Sequence, residues 1–238
     1  MVDDGNTALV IGASGGLGAA LIGQLQAGKA FAQVLGLARS ASLLDAPCLD
    51  VTNEASIAAA AAWVQARCAA QPLRLLIVAT GLLHQNGQGP ERSLAQLDVA
   101  YLQRVMAVNA IGPALLLKHF SPLLPRDGWA KCVFISAKVG SIGDNAVGGW
   151  YGYRASKAAL NQIVKTASIE LVRRNKQVCC VALHPGTVDT SLSEPFSKSG
   201  LNVRPASVAA GEILRVIEGL SSRENGGFVD YLGARLPW

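Results

Sequence analysis

The sequence predicts an α/β fold: a doubly wound parallel sheet with helices on both faces. Three observations predict it. Short apolar runs alternate with helical patterns along the whole chain of 238 residues. The first run passes through a glycine-rich turn directly into a helical pattern. The later runs end in polar or glycine-containing stretches, and such a sheet binds its ligands at the carboxyl ends of its strands.

Thr7 to Ile11 reads as the first strand, and Gly12-Ala13-Ser14-Gly15-Gly16-Leu17-Gly18 as the turn that leads into a helix. Glycines there allow a tight turn and close approach to a ligand. The helix N-terminus behind them offers free N–H groups and a partial positive charge to a pyrophosphate. A turn that uses glycine for conformation alone is the alternative. Phe31 to Leu37 reads as the second strand and ends at Ala38-Arg39-Ser40 with no acid in place. An acid at this point would hold a ribose hydroxyl, whereas Arg39 offers a guanidinium fork suited to a 2′-phosphate. NADP(H) is therefore preferred and NAD(H) stays possible; a solvated surface arginine is the plain alternative.

Cys48 to Val51 reads as a brief third strand, with Asp50 and Val51 at its end. Asp50 is placed to meet an adenine or to cap the helix that begins near Thr52. Leu73 to Ala79 is a continuous apolar run, as in a central strand buried on both faces, and it stops at Thr80-Gly81. Leu82 to Pro90 has loop composition. A helical stripe then runs from Ser93 to Val108, Asn109 interrupts it, and Ala114 to Phe120 continues it. Asn109 is either a buried amide at a kink or a functional group. Cys132 to Ser136 is the fifth strand, and Ala137 to Gly149 a long loop.

The segment Tyr151-Gly152-Tyr153-Arg154-Ala155-Ser156-Lys157 opens a helix that runs to Arg173. On it, Tyr153 and Lys157 share one face. An ammonium beside a phenol favours the phenolate and makes tyrosine a usable proton donor; the pair also fits an ordinary amphipathic helix. Gln177 to Leu183 is the sixth strand, followed by Pro185-Gly186-Thr187-Val188 and Thr190. Ser191 to Pro205 suits a mobile segment over a site. A helix from Ala206 to Leu220 and a last strand from Gly227 to Tyr231 complete a sheet of about seven strands, in a single domain spanning residues 1–238.

Bulk composition narrows the function. Half of the residues are hydrophobic and 16% are charged, as in a compact globular protein. The net charge of +5 is scattered and forms no basic stripe, so nucleic acid is not an expected partner. Five cysteines lack C-x-x-C spacing and lie in strand or helix patterns. They read as reduced, and with a start that has no signal-peptide character they point to the cytoplasm. No metal-ligand cluster is evident, and no uninterrupted apolar run reaches the roughly 18 residues of a membrane span.

Taken together these residues resemble the short-chain dehydrogenase/reductase family over essentially the whole chain. The carriers are Gly12-x-x-x-Gly16-x-Gly18, Asp50, Asn109, Tyr153-x-x-x-Lys157, and Pro185-Gly186 with Thr190. The long loop before Tyr153, the Gly-Gly-Trp ahead of it and the C-terminal Pro-Trp look most like the C-factor and carbonyl-reductase-like branch. The resemblance implies a Rossmann-type sheet of order 3-2-1-4-5-6-7 and an NADP(H)-dependent carbonyl or alcohol oxidoreductase, working as a homodimer or homotetramer on a small molecule. It also implies that Tyr153 passes a proton to the substrate oxygen, that Lys157 holds the nicotinamide ribose, and that Asn109 holds a water that passes protons to Lys157.

Three departures stand out. Ile11 replaces the usual threonine, Ala79-Thr80-Gly81 the usual Asn-Ala-Gly, and Ala137 the serine whose hydroxyl bonds the substrate oxygen. Loss of such a donor costs roughly 3–4 kcal/mol of barrier. Ser136 or Ser141 is the candidate replacement, although Ser136 should face the other way along an extended strand; Lys138 could instead give a cationic contact. The departure motivates an alternative function, a catalytically weak dinucleotide-binding or redox-responsive interaction protein. The substrate pocket is expected among Leu82 to Gln88, Ala137 to Trp150 and Ser191 to Leu201.

Overall fold

The computed structural model describes residues 5–40, 45–85, 87–193 and 203–238. Most of the polar segment expected to cover the site, residues 194–202, lies outside the described residues.

A parallel sheet carries the molecule. Its strands are β1 (Thr7–Ile11), β2 (Gln33–Leu37), β3 (Leu73–Val78), β4 (Ala130–Ile135) and β5 (Val178–His184). Two short segments, β6 (Val188–Asp189) and β7 (Arg204–Pro205), pair with each other, and β8 (Phe228–Asp230) closes the main sheet. The order is β2-β1-β3-β4-β5-β8, all parallel. Chain order reverses between β2-β1 and β1-β3, which opens the crevice where doubly wound sheets bind ligands.

Among the described residues six α-helices flank the sheet: α1 (Gly16–Gly28), α2 (Glu54–Arg67), α3 (Val99–Met106), α4 (Gly112–Phe120), α5 (Tyr151–Arg174) and α6 (Ala206–Gly219). Alternation along each strand divides the core. Ala8 and Val10 point to the face covered by Leu21 and Leu25 of α1 and Ile213 and Ile217 of α6. Leu9 and Ile11 point to the opposite face, under Ile57 of α2, Leu116 of α4 and Leu160 of α5. A strand buried on both sides therefore reads as a continuous apolar run, as β3 and β5 do.

Three expectations are corrected here. Residues 48–51 form no strand. Leu49 N donates to Ala38 O at 2.8 Å, but no ladder continues, and the main sheet has six strands among the described residues. The brevity of the segment leaves too few backbone groups to sustain pairing. Asp50 does not cap α2: Asn53 does so by accepting from Ser56 N, while Asp50 Oδ1 accepts from Thr52 N and Thr52 Oγ1. The third concerns apolar length. Val99–Leu123 is one helical stretch of 25 residues with the length and hydropathy of a membrane span. Its inward side chains, Tyr101, Val105, Leu116 and Phe120, are buried in the core clusters.

This helical stretch is not uniform. Residues 107–111 form a π turn in which Gly112 N reaches Ala107 O. Asn109 stands within it, where the wider turn displaces the regular α-helical bonding.

Candidate active site

The glycine turn is shaped by contact with its neighbours. Gly12 has φ +96°, and a Cβ there would lie 2.8 Å from the Ala79 carbonyl carbon. At Gly18 a Cβ would meet Gly12 O at 2.1 Å, so the turn and the first turn of α1 admit no side chain. Gly15, the residue before α1, has no side chain to cap it, and the first turn carries no acid. Its N–H groups thus face outward without an internal anionic partner, beside the exposed Ser14 and the partly buried Leu17. Thr190 comes from the far end of the chain to this turn: its Cγ2 is 3.0 Å from where a Cβ on Gly16 would stand. Thr80 Oγ1 is buried at the edge of the same crevice with no hydrogen-bond partner. Arg39 is exposed at the end of β2, and its charge helps hold the Asp50 carboxyl low, behind the larger effect of the Thr52 hydrogen bonds. Val51 is buried and packs against Gly112, leaving no room for a Cβ there. An outward-facing N-terminus, glycines in close contact and an orphaned hydroxyl fit a dinucleotide.

On the other side of the crevice, α5 brings Tyr153 and Lys157 beside the ends of β3 and β4. The Lys157 ammonium lies 5.9 Å from the centre of the Tyr153 ring and donates to Ile135 O at 3.0 Å. A Cβ on Gly81 would stand 3.8 Å from both Lys157 Nζ and Asn109 Oδ1, so three separate segments converge there. Burial drives the two side chains in opposite senses, each toward neutrality. Lys157 falls from 10.5 to about 8. Tyr153 rises well above its ordinary value, with a smaller contribution from Tyr101. The lysine therefore does not by itself lower the phenol in this state, contrary to what spacing suggests, because desolvation dominates when the ammonium points to Ile135.

Asn109 is fully buried and its side chain is committed. Oδ1 accepts from Leu82 N at 2.8 Å, while Nδ2 donates to Leu82 O at 2.8 Å and to Ser156 Oγ at 3.0 Å. The amide thus ties the π turn to the residue after Gly81 and to α5. At the nicotinamide-side turn, Gly186 has φ +71° and lies against Arg204 and Tyr231. Thr187 O accepts from Arg204 N at 3.0 Å, and Val188 pairs with Arg204 in β6-β7.

Neither candidate for the missing hydroxyl points into the site. Ser136 Oγ donates to Asn161 Oδ1 at 2.6 Å, turned into the core as alternation along the strand requires. Ser141 Oγ donates to Trp238 O at 3.3 Å and accepts from Asp144 N. Lys138 Nζ lies 3.5 Å from Asp144 Oδ2. The wall around Tyr153 is instead apolar or aromatic: Leu83, Tyr101 and Val105 behind it, with Ala137, Val139 and Trp150 packed alongside.

Three residues escaped the sequence reading. Arg204 donates to Pro185 O and Glu212, and stacks 3.5 Å over Tyr231. His184 keeps a buried Nδ1 with no partner, and burial lowers its pKa to about 4. Glu91, in the loop after β3, is buried and accepts from Gly152 N. No motif marks them in the sequence: Glu91 meets Gly152 61 residues away, Arg204 meets Pro185 across a turn, and the burial of His184 is set by packing.

Comparisons with known proteins fit this site. The sequence profile described as short chain dehydrogenase matches residues 6–200. The chain is similar to the C-signal protein of Myxococcus xanthus, 35% identical over 146 residues that cover 61% of this chain and 84% of that protein. It is similar also to the 1-hydroxy-2-glutathionyl-2-methyl-3-butene dehydrogenase of Rhodococcus sp. (strain AD45), 32% identical over 192 residues, 81% of this chain and 79% of that one. Among solved structures, the NADPH-bound carbonyl reductase from chicken fatty liver superposes with a TM-score of 0.85 at 28% identity, covering 98% of this chain and 94% of that chain. With the glycine turn at the switch of a parallel sheet and Tyr153 and Lys157 across the crevice, the chain belongs to the short chain dehydrogenases and is an oxidoreductase of that family.

Proposed function

We propose that residues 1–238 act as one domain and that the chain is an NADP(H)-dependent oxidoreductase interconverting a small carbonyl and its alcohol. The observation that carries this reading is the convergence of Lys157 and Asn109 on Gly81, with the Tyr153 ring centre 5.9 Å from the Lys157 ammonium, across the crevice from the glycine turn. Gly12, Ser14, Gly15, Gly16, Leu17 and Gly18 would hold the pyrophosphate side, with Arg39 on the 2′-phosphate and Asp50, Val51, Ala79 and Thr80 around the adenosine. Pro185, Gly186, Thr187, Val188 and Thr190 would flank the nicotinamide. When bound, the reduced cofactor supplies the hydride.

The protein's own residues manage the proton. The Tyr153 phenol donates to the carbonyl oxygen, and the charged Lys157 stabilises the phenolate left behind. In the free protein that ammonium is held on Ile135 O. Cofactor binding beside Gly81 would give it a second partner and favour its charged form. Asn109 fixes the distance between Leu82 and Ser156, and so between the end of β3 and α5. All five cysteines are free, in keeping with a reducing, cytoplasmic setting.

The test is NADPH oxidation over a panel of ketones and aldehydes with wild type and Tyr153→Phe. Turnover with at least one substrate, lost in the variant, is expected; equal turnover in both would falsify the mechanism. A second reading, a dinucleotide-binding protein with weak catalysis, is favoured by one observation. Ala137, Val139 and Trp150 bring no aliphatic hydroxyl to Tyr153, the Tyr101 hydroxyl donates to Leu83 O, and both nearby serines are engaged elsewhere.

A further inference from the structure

The helix that carries Tyr153 begins without a cap of its own. Trp150 precedes it with φ 53°, in the left-handed region, and its side chain does not cap the helix. Its indole has no acceptor to offer. Tyr153 therefore stands in the first turn of α5, where N–H groups lack intrahelical partners and helices open most readily.

One distant residue meets this end of the helix twice. Glu91 O accepts from Trp150 N at 2.5 Å, and Glu91 Oε2 accepts from Gly152 N at 3.1 Å. The residue is 3% exposed. Oε1 has no hydrogen-bond partner and lies 3.0 Å from where a Cβ on Gly152 would stand, beside Leu102 and Val105 of α3. A carboxylate set among leucine and valine is costly unless something compensates. The partial positive charge at the start of a 24-residue helix does so here. Gly152 is part of the arrangement, since a Cβ there would stand 2.9 Å from Leu102 Cδ2, 3.0 Å from Glu91 Oε1 and 3.2 Å from Val105 Cγ1 and would press on all three side chains.

We propose that Glu91 is a positioning residue: it anchors the first turn of α5 to the loop after β3 and thereby fixes where Tyr153 meets the substrate oxygen. The kinetic consequence rests on the reading of Tyr153 as proton donor, whereas the anchoring itself does not. Loop and helix are thereby coupled. Whatever moves the loop that lines the crevice also moves the tyrosine.

Two substitutions separate reach from charge. Glu91→Gln keeps an oxygen that accepts from Gly152 N and loses the charge. Glu91→Asp keeps the charge and is one methylene too short. Amide hydrogen exchange of the segment 150–156 is followed in both, with Glu91→Ala as the full deletion, alongside kcat and the KM for NADPH. Loss of the anchor is expected to speed exchange at Gly152 and Tyr153 about tenfold in Glu91→Asp and Glu91→Ala, in line with the loss of a helix cap. In the same two variants kcat should fall by about tenfold or more with little change in the KM for NADPH. Glu91→Gln should restore both to within about threefold of wild type.

Should Glu91→Ala fail to fold, the aspartate and glutamine variants carry the comparison alone. Equal exchange in all variants overturns the proposal, and so does a kcat loss in Glu91→Gln that matches Glu91→Asp. If wild type turns over nothing in the panel, the oxidoreductase mechanism fails, while the exchange measurement still decides the anchor.

Discussion

Lys157 illustrates what a buried titratable side chain costs and when. Its ordinary value is 10.5 and its folded value is about 8, a displacement worth about 3 kcal/mol at 1.4 kcal/mol per unit. Below pH 8 the lysine is charged in both the folded and the unfolded chain, and the cost is present in full. Between about pH 8 and 10.5 the folded chain releases its proton first, so this contribution to stability rises with pH. Lys157→Met removes the buried charge but leaves Ile135 O unpaired, which offsets about 1 kcal/mol. The variant is expected to be inactive yet more stable at pH 7 by about 2 kcal/mol. Urea denaturation at pH 7 and pH 9.5 checks this; the gap should narrow at the higher pH.

Ala137 supplies the complementary experiment. Ala137→Ser places a hydroxyl beside Tyr153 without disturbing the glycine turn, and kcat is expected to rise about tenfold or more while NADPH affinity holds. Unchanged turnover would mean that another group already holds the substrate oxygen, which counts against the weak-catalysis reading. That Tyr153 and Lys157 share a face is legible from spacing because it is local to one helix, whereas a role for the pair is legible only beside the glycine turn, Asn109 and Pro185-Gly186. The partner of Ser136 is Asn161, and that of Glu91 is Gly152, so each depends on packing across the fold.

At the scale of elements, the glycine turn is the most constrained. Gly18→Ala would drive a methyl group into Gly12 O, against backbone that cannot rotate away. The expected outcome is a loss of about 1–3 kcal/mol in stability, with NADPH affinity falling because the turn opens. Thermal unfolding and fluorescence titration measure both; normal affinity would show that the turn does not bind the cofactor. The strand runs were legible in the sequence because burial on two faces leaves an unbroken apolar signature, clearest in β3 and β5. Residues 48–51 looked the same over a shorter length, yet extended composition does not create a ladder unless neighbours continue it.

For the whole molecule, the expectation of self-association falls on α4 and α5. Ile111, just before α4, is 54% exposed, and Ile169 of α5 is 49% exposed. We propose a homodimer or homotetramer formed through this face. Light scattering at micromolar concentration should give a mass of two or four chains, and Ile169→Glu should lower it. A monomeric mass for wild type would exclude the assembly.

The π turn at residues 107–111 bears on the molecule in one more way. A π turn holds one residue more than the α-helical turn it replaces, so every side chain after it is rotated by about 100° relative to an uninterrupted helix. The surplus residue is therefore a register device. Tyr101 and Val105 before it, and Leu116 and Phe120 after it, all face inward across the surplus residue. Deleting one residue here would regularise the backbone hydrogen bonding. The same deletion would leave α4 in phase with the core, and its cost would fall on the amide of Asn109, which the wider turn sets between Leu82 and Ser156, exchanging local regularity for the loss of the site.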